Sequence, residues 1–373
     1  MVLVQICPVQ TKADLKAFID LPYHLYRTDP VWVPPLRSEQ AAQFDHLKNP
    51  MLDHCDYTLF LLKEGQVVIG RISAFTDRLA LEHWGQPVGL FGSFECVRDP
   101  EAGQLLLGAA RDWLRQKGMH SMRGPWSFAS QEWGTVLEGY TPSPVVLAPY
   151  NPPYYNDQLA AFGLAKVKDL VVYYIDAREG YQIPERIIKL TDLVQKRYKV
   201  SVRPLDMNRM DEDVAAIVKV LNISLEDNWG IYPVTAAEAS QMAKDMKQLV
   251  HPKAILIAED SKGKPIGVAM SLPDVNLLLK GLNGRLLPFG WLKLLWGIPR
   301  LTQYRMWALG VLPEYHGKAI DSLLYRAMYE KLFTDKLRLE INYVLEDNDR
   351  MNNALMKLNV KPLRRYRIYQ MPI

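Results

Sequence analysis

The cysteine and histidine residues of this sequence lack the spacings that disulfide and metal chemistry require. Its three cysteines, Cys7, Cys55 and Cys96, are an odd number and form no CxxC pair, which argues against a disulfide framework and a cysteine-rich zinc site. The seven histidines form no HxxxH or HxH pair, and His54 with its neighbouring aspartates is typical of a solvated turn. We therefore expect no metal site and a reducing, cytoplasmic setting.

Two glutamates stand at the ends of predicted strands and are candidates for a general base. Glu95 closes a strand that is otherwise apolar, and Glu346 follows a second apolar strand. A carboxylate at such a place can accept a proton from an attacking nucleophile. Charged residues at strand ends are also commonly solvated or paired in salt bridges, so the residues alone leave both interpretations open.

The two halves of the chain have the same order of predicted elements. In each half a helix precedes a β-hairpin, which is followed by a strand, a helix, a strand, a helix and a final strand. This repetition indicates a duplicated module, and 373 residues exceed the usual size of a single core. We predict an α/β fold, an α+β arrangement with mixed sheets, in two tandem domains, 1–178 and 185–373. The predicted linker lies near Asp176 to Pro184, and neither half has a GxGxxG or GxxxxGK loop.

The sequence LGVLPEYHGKAID, which ends at Asp321, connects a predicted strand to a predicted helix. It resembles the loop of the GNAT acetyltransferase superfamily, in which a strand ends in V-x-P-x-x-(Q/R)-G-x-G-x-(G/A). In that superfamily the backbone N–H groups of the loop and of the first helical turn hold the pyrophosphate of coenzyme A. Unpaired N–H donors and the positive end of the helix dipole favour an anion. The resemblance implies two GNAT-like domains, each a central mixed sheet flanked by helices, and acetyl-CoA or a longer acyl-CoA as a substrate.

The loop departs from the family pattern at three positions. His316 stands where Gln or Arg is usual, Ala319 replaces the second glycine, and Asp321 replaces the third small residue. Asp321 either brings a negative charge close to the phosphates or caps its own helix. A turn without a ligand is the alternative interpretation. The resemblance implies that the coenzyme contacts Val311, His316, Gly317, Lys318, Ala319 and Ile320.

The sequence NDRMNNALMKLNV, which begins at Asn348, is similar to the family's N-x-x-A-x-x-L-Y-x-K-x-G-F helix. Asn348 and Lys357 match, and the resemblance adds Asn348 to the cofactor-binding residues. Leu355 occupies the position of the tyrosine that commonly protonates the departing thiolate. Tyr366 or Tyr369 could take its place, and we name Tyr366 as the candidate, although tyrosines in a terminal strand more often belong to the core.

The first half is similar to the superfamily in element order only, because RDPEAG, from Arg98 to Gly103, starts a helix without a glycine-rich turn. Its phrases GLFGSFE, GPWSF and YNPPYY resemble those of a group of uncharacterised bacterial double-GNAT proteins of nearly this length. We therefore expect a degenerate first domain and an acyl-CoA loop in the second.

The positive charge is concentrated in the second half. Residues 179–373 carry 29 basic and 22 acidic groups, which favours a polyanionic ligand, but no arginine-rich run with interleaved aromatics suggests nucleic acid. An insertion from Leu277 to Arg300 combines four basic residues with Phe289, Trp291 and Trp296. It is typical of a segment that contacts a membrane surface or covers an acyl chain, and a helical hairpin packed on the other domain is the alternative. We predict no signal peptide and no spanning helix.

These patterns together predict an acyl-CoA-dependent N-acyltransferase that acts on an unknown amine acceptor. Glu346 ranks above Glu95 as the base because it belongs to the half with the loop, and Tyr366 is the candidate acid. The competing hypothesis is a non-catalytic double-GNAT protein that binds a lipid, an acyl carrier or a protein partner. The eroded glycines and the missing tyrosine motivate this second hypothesis.

Overall fold

The computed structural model describes residues 3–128, 133–246 and 251–373. These residues form two compact units that interleave along the chain. Unit 1 contains the described residues up to Leu170, together with Asn276–Trp291 and Arg364–Ile373. Unit 2 contains Val171–Val275 and Leu292–Leu363. The predicted domains 1–178 and 185–373 are contiguous, whereas each observed unit is built from separated segments.

The described residues of the first part of the chain form five α-helices and seven β-strands. The helices are α1 (Lys12–Leu25), α2 (Arg37–Ala42), α3 (Arg78–Trp84), α4 (Pro100–Gln116) and α5 (Tyr154–Ala161). The strands are β1 (Val4–Pro8), β2 (Cys55–Glu64), β3 (Val67–Asp77), β4 (Val88–Cys96), β5 (Ser121–Gly124), β6 (Thr135–Glu138) and β7 (Ala165–Asp176).

In the rest of the chain, the residues that the structure describes add seven α-helices and six β-strands. The helices are α6 (Glu185–Tyr198), α7 (Met210–Ser224), α8 (Ala236–Met246), α9 (Asn276–Leu279), α10 (Gly290–Gly297), α11 (Ile320–Leu332) and α12 (Asp349–Lys357). The strands are β8 (Ser201–Pro204), β9 (Ile255–Glu259), β10 (Pro265–Pro273), β11 (Gln303–Val311), β12 (Arg338–Leu345) and β13 (Lys361–Pro372). The predicted helix from Thr235 extends to Leu249, and its last residues lie outside the described ones.

Unit 1 is a mixed sheet with the strand order β1-β2-β3-β4-β5-β13. Neighbouring strands are antiparallel except for β4 and β5, which run parallel. Helix α4 begins at the predicted place because the Asp99 side chain accepts the Glu101 N–H and proline occupies the next position. Its apolar face buries Leu106, Leu107 and other residues against the sheet, which makes α4 the main helix of this core.

Unit 2 is a second mixed sheet, with the order β7-β12-β11-β10-β9-β8. Its parallel pair is β11 and β12, and β8 to β11 are antiparallel neighbours. Helix α11 packs on one face through Leu323, Leu324 and Met328, and α7 packs with the opposite cluster through Ile217 and Val220. The predicted fold class is confirmed: each unit is a central mixed sheet flanked by helices.

The last strand explains part of the interleaving. From Tyr369 to Pro372, β13 pairs with Gly124 to Ser121 of β5, and its preceding residues pair with β6. These pairs place the end of β13 in the sheet of unit 1. Among the helices of the described residues, none is both long and apolar enough to cross a bilayer.

Candidate functional site

A gap opens between the two parallel strands of unit 2. Strands β11 and β12 pair from Gln303 with Arg338 as far as Met306 with Ile341. Both strands then continue, β11 to Val311 and β12 to Leu345, beyond the last of these pairs. Because unpaired strand edges expose N–H and C=O groups, this gap offers hydrogen-bonding sites to an extended ligand.

The loop after β11 leads directly to the start of α11. A 3₁₀ turn at Pro313–Tyr315 follows the strand, and the backbone then passes through two left-handed conformations, at Gly317 (φ 76°) and Ala319 (φ 56°). Ala319 is the N-cap residue of α11 and has no side chain that accepts a hydrogen bond from the helix. The first amides of α11 therefore have no side-chain cap at Ala319, and the helix dipole adds partial positive charge there.

The side chains of this loop have mixed orientations. The His316 Nε2 atom lies 2.8 Å from the Val311 carbonyl oxygen, so the ring turns back onto the strand end. The Lys318 ammonium lies 4.5 Å from the centre of the Tyr315 ring. The Asp321 Oδ1 atom accepts the Ser322 N–H at 2.9 Å, which puts a carboxylate in the first turn of α11. The loop thus supplies the Lys318 cation and the Glu314 carboxylate, and Asp321 adds a second carboxylate at the start of α11.

Asn342 is the first residue of β12 beyond the paired stretch and is a site residue that the sequence patterns missed. Its side chain is 4% exposed, and neither Nδ2 nor Oδ1 has a hydrogen-bond partner among the described residues. Leaving a buried amide unpaired costs about 1–3 kcal/mol per group, so such a side chain is typical of a place that binds a polar ligand. The only sequence signal was a polar residue in the apolar run LEINYVL.

Glu346 and Asn348 lie together in the turn between β12 and α12. Glu346 is half-buried, and its carbonyl oxygen accepts the Asn352 side-chain N–H at 3.2 Å. The Asn348 Oδ1 atom accepts the Met351 N–H at 3.0 Å and so caps α12. Leu355, at the position of the family's tyrosine, is fully buried in the unit 2 core.

Tyr366 belongs to unit 1, whereas Glu346 and the loop belong to unit 2. Its side chain is 0% exposed, and its hydroxyl accepts an Arg364 N–H at 3.3 Å and lies 3.4 Å from the Pro149 carbonyl oxygen. This environment is that of a core tyrosine, which was the alternative interpretation of its position in a terminal strand.

Unit 1 contains a different polar cluster, centred on the Glu95 carboxylate near the end of β4. The Glu95 Oε2 atom accepts the Tyr155 O–H at 2.8 Å and also the Tyr26 O–H. The Arg71 guanidinium lies 3.8 Å from Oε1 and donates to the Phe18 carbonyl oxygen at 2.7 Å. Three side chains from separate elements, those of Tyr26, Arg71 and Tyr155, thus converge on one carboxyl group.

Burial dominates the electrostatics of this cluster. It raises the pKa of the Glu95 carboxyl above its ordinary value, and Arg71 and the tyrosine hydroxyls offset only part of that effect. Burial also raises the pKa of Tyr26 and Tyr155 well above the ordinary value for tyrosine. Glu95 therefore has the properties of a proton acceptor that works closer to neutral pH than a solvated glutamate does.

Comparisons with known proteins agree with this architecture. The whole fold matches a tandem GNAT protein from the clavulanic acid biosynthesis pathway, with a TM-score of 0.59 over 99% of this chain and 98% of that one, at 14% identity. Protein YghO of Escherichia coli is 35% identical over 97% of this chain and 94% of its own length. The bacterial ceramide synthase of Caulobacter vibrioides is 34% identical over 98% of this chain and 97% of its own length. The chain belongs to the family of these two relatives, and its fold is that of the tandem GNAT proteins. No family model matches the chain.

The first unit of this tandem GNAT chain closes the equivalent strand gap. Strands β4 and β5 pair only as far as Leu90 with Arg123, and the Trp126 N–H then donates to the Phe91 carbonyl oxygen at 2.8 Å. A Cβ atom built on Gly92 would lie 1.9 Å from the Trp126 carbonyl oxygen, so the two backbones are in contact. The N-terminus of α4 in unit 1 is also occupied, because the Asp99 carboxylate accepts the Glu101 N–H there.

A second polar group in the first GNAT unit has a structural explanation. The ligand atoms of His54, Cys55 and Asp77 lie within 4.8 Å of one another. The Asp77 carboxylate is engaged in capping α3 through the N–H groups of Leu79 and Ala80. The His54 Nδ1 atom lies 2.8 Å from Asp77 Oδ1, and burial raises the pKa of the Cys55 thiol to about 11. The helix cap and this hydrogen bond hold the Asp77 and His54 side chains in place.

Proposed function

We propose that the protein is an acyl-CoA-dependent N-acyltransferase that binds its acyl-CoA in unit 2. The observation that carries this proposal is the opening of β11 and β12 beyond Met306 and Ile341, next to the α11 N-terminus that has no side-chain cap at Ala319. An extended pantetheine arm fits between two separating strands, and a diphosphate fits at a helix N-terminus. Among the described residues of unit 1, Trp126 closes the strand gap and Asp99 caps α4.

We propose that the acceptor is the primary amine of a long-chain amino alcohol. A relative with 34% identity over nearly the full length is named a bacterial ceramide synthase, and a ceramide is such an amine carrying a fatty acyl group. The acyl donor is then a long-chain acyl-CoA rather than acetyl-CoA. Protein YghO, which is equally similar, has a name without a function.

The reaction needs one bond to form and one to break. The neutral amine attacks the thioester carbonyl carbon, forming the C–N bond of the amide and breaking the C–S bond. The proton lost by the amine goes to a base, and the departing thiolate takes a proton to become free coenzyme A. No covalent enzyme intermediate is required, so positioning and proton transfer supply the catalysis.

We assign the roles as follows. The amides of Gly317, Ala319 and Ile320, following Val311, hold the diphosphate, with charge from Lys318 and a donor from His316 if its ring turns outward. The Asn342 side chain forms a hydrogen bond with an amide group or with the thioester of the bound pantetheine arm. Glu346 is the base, and Asn348 positions the turn that contains it. Tyr366 belongs to unit 1 and is fully buried, so we do not assign the acid to it.

A direct test is an assay of the purified chain with acyl-CoA donors of increasing length and with a sphingoid amine or short amines. We expect release of free thiol and an amide product by mass spectrometry, fastest with the long-chain pair. Acyl-CoA should also raise the melting temperature, as any ligand selective for the folded state does. Absence of both thiol release and a melting shift at millimolar acyl-CoA would remove the proposal.

The competing function is a non-catalytic protein that binds a lipid, an acyl carrier or a partner protein. The Asp321 carboxylate in the first turn of α11 and the buried Leu355 in place of the tyrosine favour it. On this hypothesis acyl-CoA binds without turnover, or does not bind at all. A melting shift with no amide product for any amine would favour it over the enzyme.

A further inference from the structure

The segment 277–300, which we call the surface segment, exposes large apolar side chains to solvent. Leu287 is 80% exposed, Phe289 73% and Trp296 61%, and Trp291 and Leu295 are exposed as well. Its helix α10 has the sequence GWLKLLWG, yet none of its residues is buried. A helix with so many apolar residues normally lies inside a core or in lipid. The exposed apolar surface of α10 therefore indicates that another molecule or a lipid surface covers it.

The first part of the surface segment is fixed to unit 1 by specific contacts. The Arg37 N–H donates to the Gly284 carbonyl oxygen at 3.1 Å, and the Arg37 guanidinium donates to the Asn283 carbonyl oxygen. The Lys280 ammonium donates to the Ser143 hydroxyl at 3.2 Å. Gly284 has φ 71°, and a Cβ atom there would lie 2.6 Å from the Tyr23 ring, so the close approach requires glycine. The exposed side chains are thus presented by an ordered support.

The charge of the surface segment has a single sign. The sequence has no acidic residue between Asp274 and Glu314, whereas the segment contains Lys280, Arg285, Lys293 and Arg300. Basic residues next to exposed Trp, Phe and Leu form the composition of a segment that lies in the interface of a bilayer. Each Lys or Arg near an anionic leaflet adds to the attraction of the segment for that leaflet.

We propose that the surface segment binds the surface of a bilayer that contains anionic phospholipids. Phe289, Trp291 and Trp296 enter the interface, and Arg285 and Arg300 contact the lipid phosphates. A second copy of the chain would bring two positively charged surfaces together. Self-association is therefore not expected to cover the apolar side chains of the surface segment. This proposal concerns binding alone and does not depend on acyl transfer.

The test uses the full chain and vesicles that contain neither acyl-CoA nor a sphingoid amine. We expect co-sedimentation with phosphatidylcholine vesicles that include phosphatidylglycerol, weak binding to phosphatidylcholine alone, and loss of binding as salt is raised. The double variant Phe289→Ser/Trp296→Ser should lower the partition coefficient at least about tenfold, because it removes apolar area from the interface. The double variant Arg285→Glu/Arg300→Glu should remove the preference for phosphatidylglycerol.

The matched control is Leu47→Ser/Phe333→Ser, which changes exposed apolar residues elsewhere and should leave vesicle binding unchanged. Circular dichroism of every variant checks that the fold is retained. Equal binding to both vesicle types, unchanged binding of the serine variant, or no vesicle binding at all would overturn the proposal. So would capture of an acidic protein by this surface with vesicles left unbound.

Discussion

The strand-to-helix turns of the two units differ in how they treat the first amides of the helix. In unit 1 the Asp99 carboxylate caps α4 one residue after Arg98, and the strand gap is closed by Trp126. In unit 2 a longer loop leads to Ala319, which has no capping side chain, and the strands β11 and β12 separate. A helix N-terminus already satisfied by its own acid has little left for a phosphate. The two units therefore share a core architecture of a mixed sheet and helices, and they differ in the turn before the helix.

The largest expected effect concerns which unit supplies the base. We expect Glu346→Gln to lower kcat by a factor of about 10²–10⁴, since a general base contributes that much, while the acyl-CoA Kd stays unchanged. Glu185→Gln, in an exposed residue of the same unit outside the loop, is the matched control. If Glu346→Gln has normal kcat and Glu95→Gln does not, the base belongs to unit 1 and the proposed division of labour is reversed.

The next effect isolates Asn342. Asn342→Leu should weaken acyl-CoA binding about tenfold, because the ligand loses a hydrogen-bond partner, and leave the free energy of unfolding equal or higher, because an unpaired buried amide is removed. Calorimetric titration and urea unfolding measure the two quantities. Ser73→Ala removes a buried hydroxyl of unit 1 that has no partner among the described residues, and it should leave the Kd unchanged. A destabilised Asn342→Leu with normal affinity would make Asn342 a structural residue.

A charge reversal compares the two turns directly. Lys318→Glu should raise the Kd for coenzyme A about tenfold, because a charged hydrogen bond to phosphate contributes about 1.5–3 kcal/mol. Arg98→Glu places the same change beside the turn of unit 1 and should not affect the Kd. Equal effects of both substitutions would show long-range attraction rather than a site at α11.

A smaller effect is expected from the acids in the first turns. Asp321→Asn should tighten coenzyme A binding about two- to fivefold, since it removes a negative charge near the helix N-terminus. Asp99→Ala should instead lower the stability by about 1 kcal/mol, through the lost cap, and leave the Kd unchanged. A looser Kd in Asp321→Asn would indicate that Asp321 helps to build the loop.

The last prediction uses the raised pKa of Glu95. The folded state holds this proton to higher pH than the unfolded chain, so Glu95 contributes stability at low pH that is lost as pH rises above about 4.5. The free energy of unfolding of the native chain, relative to Glu95→Gln, should therefore fall as pH rises towards neutrality. Urea unfolding over this range measures the difference. A difference that is constant with pH would mean that Glu95 titrates normally in the fold.

The sequence predicted the framework well where local signals were strong. The start of helix α4 was predicted correctly, because Asp99 and Pro100 in RDPEAG mark it. The short strands β6 and β8 were missed because four residues give no usable period. The pairing of β13 with β5 was also beyond sequence patterns, since register depends on tertiary contacts.

The site was predicted less completely than the fold. The loop from Val311 to Ile320 could be found because glycine and proline mark it, but the orientation of His316 depends on the strand end it contacts. Glu95 was noticed as a strand-end acid, yet its buried cluster needs Tyr26 and Tyr155, which are distant in sequence. Single-residue signals cannot report such convergence.

The long reach of β13 has a consequence for biosynthesis. The Arg123 guanidinium of β5 donates to Gln370 Oε1 of β13, 247 residues further along the chain. The edge of β5 is therefore covered only when β13 has been synthesised. While unit 2 is still being made, the sheet of unit 1 therefore has an exposed strand edge that can pair with other chains. Closure comes only after unit 2 has been made, so this chain should fold slowly and need chaperone protection during synthesis.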